Sequence, residues 1–183
     1  QEKYPDAEIC VFDSICASGG HGLLIYHAIE NKKKGMSVKE NMQALEELKH
    51  RIVHKFTVDD LTYLQRGGRI SKTAAVIGGM IQLKPVLHVD TEGRLAAESK
   101  VRGRKKALNQ LLAEMDICTG GYADKQDVVL ICHADCPEDA EYVRAKVEEK
   151  YHPNKIIMSE VGPIVGAHVG PGTMVLIFEG DKR

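Results

Sequence analysis

The sequence predicts an α/β domain of two layers, with helices packed on a mixed, mostly antiparallel sheet. Three observations carry that expectation. Strand-like and helix-like segments alternate along most of the chain. The alternation breaks once, where 85–89 and 94–101 read as neighbouring strands joined by Asp90-Thr91-Glu92-Gly93, a hairpin signal. The 183 residues, 43% hydrophobic and 28% charged, are enough for one buried core with a small appendage.

In chain order, 8–13 (EICVFD) reads as a buried strand, 13–22 as a loop and 23–34 as a helix that Gly35 stops. Ser37 and Glu40 have capping-box spacing, and Met42, Leu45, Leu48 and Ile52 then recur at helical intervals. Residues 54–57 form a short strand. Thr57 can cap the next helix, with Asp59 and Asp60 in its first turn and Leu61 and Leu64 on one face. Gly67 and Gly68 end that helix and project Arg69 from a turn. Ser71 can cap an apolar helix through Ala74, Ala75, Val76 and Ile77, followed by Gly78 and Gly79. Pro85 suits the first residue of the following strand. Ala107, Leu108, Leu111, Leu112 and Met115 mark another helix, and 127–132 a strand. Pro137 opens a helix with Ala140, Val143 and Val147 inward, and 155–159 and 173–179 are the last strands.

Composition narrows the function classes. A formal net charge of −1 gives no global field toward nucleic acid or a membrane surface. Five cysteines without framework spacing read as free thiols in a reducing, cytoplasmic setting. No apolar run reaches the ~20 residues that span a bilayer, so no integral membrane contact is expected.

Several stretches carry chemistry. Asp13 to Gly22 (DSICASGGHG) joins a strand to a helix, where glycines expose backbone N–H groups and the helix dipole favours an anion, phosphate or carboxylate. A Gly-Lys-Ser/Thr ending and a third dinucleotide-type glycine are both absent, and Cys16 stands where a nucleophile elbow needs glycine. On the residues alone, a helix start capped by Ser18 is the favoured account. His168, flanked by Gly166 and Gly170 in an expected loop, can donate to a carboxylate or act as a base; a hydrogen-bonded loop histidine accounts for it equally well. Cys132-His133-Ala134-Asp135-Cys136 lacks the second ligand pair a structural zinc site needs, so no metal is expected. Arg69, Lys100, Arg102 and Arg104 form a basic set suited to phosphate, or simply to solvation of a helix start with Lys105 and Lys106.

Four blocks, in order, resemble the DegV family of bacterial fatty-acid-binding proteins. They are Phe12-Asp13-Ser14 with Ser18, Gly20 and Gly22; VDDLTYLQRGGRIS at 58–71 with LKPVL at 83–87; Lys100-Val101-Arg102-Gly103; and Gly166-Ala167-His168-Val169-Gly170-Pro171-Gly172-Thr173. The resemblance implies a C-terminal lobe formed by 1–56 and 83–183. It implies a crossover segment, 57–82, that packs on an N-terminal lobe not found here. Gln1 is not an initiator methionine, and the chain is expected to be the C-terminal two-thirds of a longer protein. The resemblance further implies that Ser14, Ser18, Gly19 and His168 hold a long-chain fatty-acid carboxylate. The tail would lie along Ile77, Met80, Ile81 and the helix at 23–29, although plain core is the commoner use of such residues. Arg69 and Arg102 would dock a fatty acid kinase that makes the acyl phosphate. The function so implied is a non-catalytic carrier with no cofactor beyond its ligand. The rival is a phosphotransferase or hydrolase with His168 as base and the Ser18 loop as anion cradle.

Overall fold

The computed structural model describes residues 2–71 and 83–183. The apolar helix expected after Ser71, with Ile77, Met80 and Ile81, lies outside the described residues. The strands are β1 (Ile52–Thr57), β2 (Leu83–Val89), β3 (Leu95–Arg102), β4 (Val128–Ala134), β5 (Lys155–Glu160) and β6 (Thr173–Glu179). They form one sheet in the order β3-β2-β1-β6-β4-β5. Among the described residues only β4 and β5 pair in parallel; the other neighbouring pairs are antiparallel, as the sequence predicts. The helices among the described residues are α1 (Gly19–Lys33), α2 (Val38–Leu48), α3 (Leu61–Arg66), α4 (Arg104–Thr119), α5 (Pro137–Tyr151) and α6 (Pro163–Val169).

Strand residues alternate between two cores. Ile52, Phe56, Leu87, Leu130 and Ile177 turn to a face covered by Leu23 and Leu24 of α1, Leu45 of α2, Leu64 of α3 and Val169 of α6. Val53, Val86, Ile131, Leu176 and Phe178 turn to the opposite face, against Leu111 and Met115 of α4 and Val143 and Val147 of α5. Helices therefore form a layer on each side of the sheet, so the expected sheet carries three layers in all. Central strands β1 and β6 are buried almost throughout for that reason.

Local chemistry accounts for most boundaries. Ser37 and Glu40 form the capping box of α2, the Ser37 hydroxyl accepting from the Glu40 N–H and the Glu40 carboxylate from the Ser37 N–H. Four expectations need correction. Residues 19–22, expected as loop, already belong to α1. Residues 8–13 form no strand; they are irregular, and Val11 is 94% exposed. A strand exists only beside another backbone, and this segment pairs with none of the six strands of the sheet. Thr57 does not cap α3, because it closes β1 opposite Val86 and Met174. Asp60 caps that helix instead, its carboxylate accepting the Thr62 N–H at 2.8 Å. Pro85 is the third residue of β2, not the first; pairing with β1 ends at Val86, so Pro85 is paired on one side alone, opposite Lys100 of β3.

Within the 57–82 segment, α3 packs into this lobe, with Leu64 fully buried and Leu61 nearly so.

Candidate functional site

The face carrying α3 and α6 is incompletely filled. Between those short helices and strands β1, β2 and β6 lies a cavity of about 290 Å³. Phe56, Leu64, Val89, Leu95, Val165 and Val175 supply apolar wall, and Ser18, His54, Arg69, His168 and Thr173 the polar groups. A second cavity of about 340 Å³ shares Arg69 and Leu95 with the first and runs on past Leu61, Ile70, Leu87 and Ala97.

Ser18 and His168, from opposite ends of the chain, thus line one space. Ser18 precedes α1, but its hydroxyl makes no cap bond to the helix. The reading of Ser18 as a helix cap is therefore corrected. Its backbone is held at φ 48° and ψ −126°, a conformation that is costly for a residue with a Cβ and is found where surrounding structure over-determines it. Ser14 serves its own loop: its hydroxyl accepts the Cys16 N–H at 3.3 Å and lies 3.4 Å from the Cys16 carbonyl, and Ser14 is not on the cavity wall. Gly19 starts α1 against the Cys132 thiol, whose pKa burial pushes up to about 11 while the Gly19 amide pulls it back.

His54 was missed as a site residue; in the strand IVHKFT, where Lys55 and Thr57 are polar too, nothing in the sequence singles it out. It lies under the serine loop, 2% exposed, and its Nε2 accepts the Ala17 N–H at 3.4 Å. Accepting at Nε2 places the ring proton on Nδ1. Burial, reinforced by the nearby Arg183 charge, lowers its pKa to about 3, so the ring is neutral. Gly20 is needed directly above it, since a Cβ there would overlap the imidazole.

His168 lies on a helix, not in a loop. Pro163 opens α6, and Gly170 ends it at φ 75°. The short helix holds because Val169 is buried against the sheet and α3 packs alongside. Gly67, read from sequence as a helix stop, has a different use: a Cβ on it would overlap the His168 ring. The left-handed angle that ends α3 belongs to Gly68, at φ 71°.

The helix at 23–29 does not line the cavity. Leu23 and Leu24 are plain core, and Ile25 and Ile29 point partly to solvent. Arg69 stands on the cavity wall, and its guanidinium donates to the Gly67 carbonyl at 2.6 Å. Arg102 is exposed at the end of β3. Arg104 is engaged with Asp139 at 2.7 Å and Asp59 at 3.3 Å. His133 accepts the Cys136 N–H at 3.4 Å, and no cluster of three or more metal-capable side chains occurs among the described residues. The five cysteines are unpaired with one another. No helix among the described residues is long and apolar enough to cross a membrane.

A mostly apolar recess with a few converging polar groups, set in an α/β lobe, has the form that small-molecule sites take. The chain belongs to the DegV family: residues 1–181 match the family described as uncharacterised proteins of the DegV type. A DegV domain-containing protein of Clostridium perfringens is 42% identical over 182 residues, covering 100% of this chain and 62% of that protein. The solved structure of DegV from Bacillus subtilis, described as a fatty acid binding protein, is 30% identical with a TM-score of 0.79, covering 95% of this chain and 61% of that one. The fatty acid kinase B3 protein of Streptococcus pneumoniae, solved with linoleic acid, shares the fold with a TM-score of 0.89 at 22% identity, over 98% of this chain and 63% of that one. The chain thus spans about three-fifths of the length of the relatives it matches.

Proposed function

We propose that this chain is the ligand-holding lobe of a bacterial, cytoplasmic carrier that binds a long-chain fatty acid and presents its carboxylate to a partner kinase. The observation that carries the reading is the meeting of Ser18 and His168 on a cavity whose remaining wall is largely apolar. The Bacillus subtilis relative, a fatty acid binding protein by description, supports the ligand class. Burying each methylene of the tail is favourable by ~0.8 kcal/mol. A carboxylate is tolerated in such a place only when its oxygens are hydrogen-bonded, and Ser18 and His168 supply donors. Arg69, exposed but on the wall of both cavities, is assigned to the ligand side, whereas Arg102, exposed and off both walls, keeps the docking role. The kinase partner rests on the resemblance and on that exposed arginine. On this reading the protein alone turns nothing over, and neither nucleic acid nor a cofactor takes part.

Mass spectrometry of an organic extract of the natively purified full-length protein tests the reading. Fatty acid is expected in near-stoichiometric amount. Absence of lipid, with no uptake of added palmitate or oleate, would overturn it.

A further inference from the structure

The serine loop contains two residues with positive φ, Ile15 at 46° and Ser18 at 48°. Neither is glycine, so the loop has to be held in shape from outside. Its backbone carbonyls show how. The Asp13 carbonyl accepts from Lys49 Nζ at 3.1 Å. The Ile15 carbonyl accepts from Arg183 Nη2, and Arg183 Nη1 donates to the Lys49 carbonyl at 2.9 Å. The Ala17 N–H is held from beneath by His54. Lys49 itself is fixed at 2.6 Å from Glu46 and lies over the Phe12 ring. One guanidinium therefore ties the loop to the segment joining α2 and β1.

Stability alone does not account for Arg183. Its Nε is buried with no hydrogen-bond partner among the described residues, which is unfavourable for a charged donor. Its charge also works against protonation of the His54 ring under the same loop. We propose that Arg183 is a positioning residue for ligand binding: by clamping the Ile15 carbonyl it sets the backbone that aims Ser18 into the cavity. It does not line the cavity and touches no ligand group itself. The inference rests on the carrier reading above and specifies what orients its headgroup contact.

The test uses the full-length protein, with Arg183→Ala, Arg183→Lys and Ser18→Ala each measured for palmitate and for hexadecanol affinity by calorimetry. Hydrogen exchange of the 13–18 amides is followed alongside. Arg183→Ala is expected to weaken palmitate binding by about tenfold, the scale of one lost headgroup bond. Hexadecanol affinity should change less, and the Ala17 amide should lose protection. Arg183→Lys, which keeps one charged donor, should recover part of the loss. Combined with Ser18→Ala, Arg183→Ala should add little, because both act on one contact. If wild type binds palmitate but Arg183→Ala binds it equally well, or loses acid and alcohol alike, the positioning role is wrong. If wild type binds neither ligand, the carrier reading fails. The exchange data then still judge the clamp: unchanged protection at Ala17 in Arg183→Ala would overturn it.

Discussion

The two faces of the sheet are built to different standards. One is closed by two long helices, α4 and α5, with Leu111, Met115, Val143 and Val147 fully buried. It also encloses Lys55, whose Nζ lies 2.7 and 2.8 Å from the Glu98 carboxylate oxygens and 3.9 Å from Glu114. Glu98 reaches Lys55 from a bulge, where the β2–β3 register slips and leaves it without a cross-strand partner. The other face is closed partly by α3 and α6, of six and seven residues, and keeps its cavity. Helices that short do not stand without packing, and here they are placed by glycines that admit neighbouring rings. The contrast teaches a division of labour. Both faces carry buried core, Leu23, Ile52 and Leu64 on one and Val53, Leu111 and Phe178 on the other, but the mostly apolar recess and the strained loop beside it belong to the first.

Perturbing each face separately should break that contrast in opposite directions. Leu111→Ala, on the packed face, is expected to cost about 2–5 kcal/mol in unfolding free energy. Palmitate affinity well below the melting temperature should stay within about twofold of wild type, an equivalence within the error of such binding free energies. Denaturant melts and calorimetry decide it, and a large affinity loss in the folded protein would contradict the division.

His54 belongs to the cavity face yet supports the fold. Its folded pKa, about 3, lies below the ordinary 6.5, so the unfolded chain takes up the proton first as pH falls. Its stability contribution is complete above pH 6.5 and declines down to about 3, by about 1.4 kcal/mol per pH unit. Urea melts across that window should show a shallower acid decline for His54→Gln than for wild type. Equal slopes would mean that His54 titrates normally.

Ser18→Ala and His168→Ala should each lower palmitate affinity by roughly ten- to a hundred-fold, with the melting temperature nearly unchanged. Their combined effect should fall short of additive, and hexadecanol should feel either change less. Unaltered affinity in both variants would place the carboxylate elsewhere. The smallest effect is expected of Gly67→Ala. Its backbone permits alanine, but the methyl would displace the His168 ring and weaken the acid by about tenfold or less, the loss of no more than one headgroup bond. A variant with wild-type affinity would show that the ring relocates without consequence.

Much of the fold was legible because its signals are local. The α2 capping box, the Gly35 stop, the β2–β3 turn and the inward Ala140, Val143 and Val147 each depend on neighbours within a few residues, and each forms. Ser18 and His168 became candidates through the family resemblance, because on the residues alone a helix cap and a loop histidine accounted for their glycine settings as well or better. The misreadings share one cause. Residues 8–13 have a strand's composition without a neighbouring backbone, and a run of glycines around His168 masked a helix held by distant contacts.

The sequence by itself determined the alternation of elements, the hairpin, the caps and the family, since periodicity, turn chemistry and motif order are written along the chain. Only the tertiary structure decided that Ser18, His54, Arg69 and His168 face one cavity, that Gly67 is required by an imidazole rather than by a turn, and that Arg183 reaches back to the serine loop. These are contacts between residues far apart in the chain. Their existence depends on strand order and on how helices seat upon the sheet, which no local window of residues encodes.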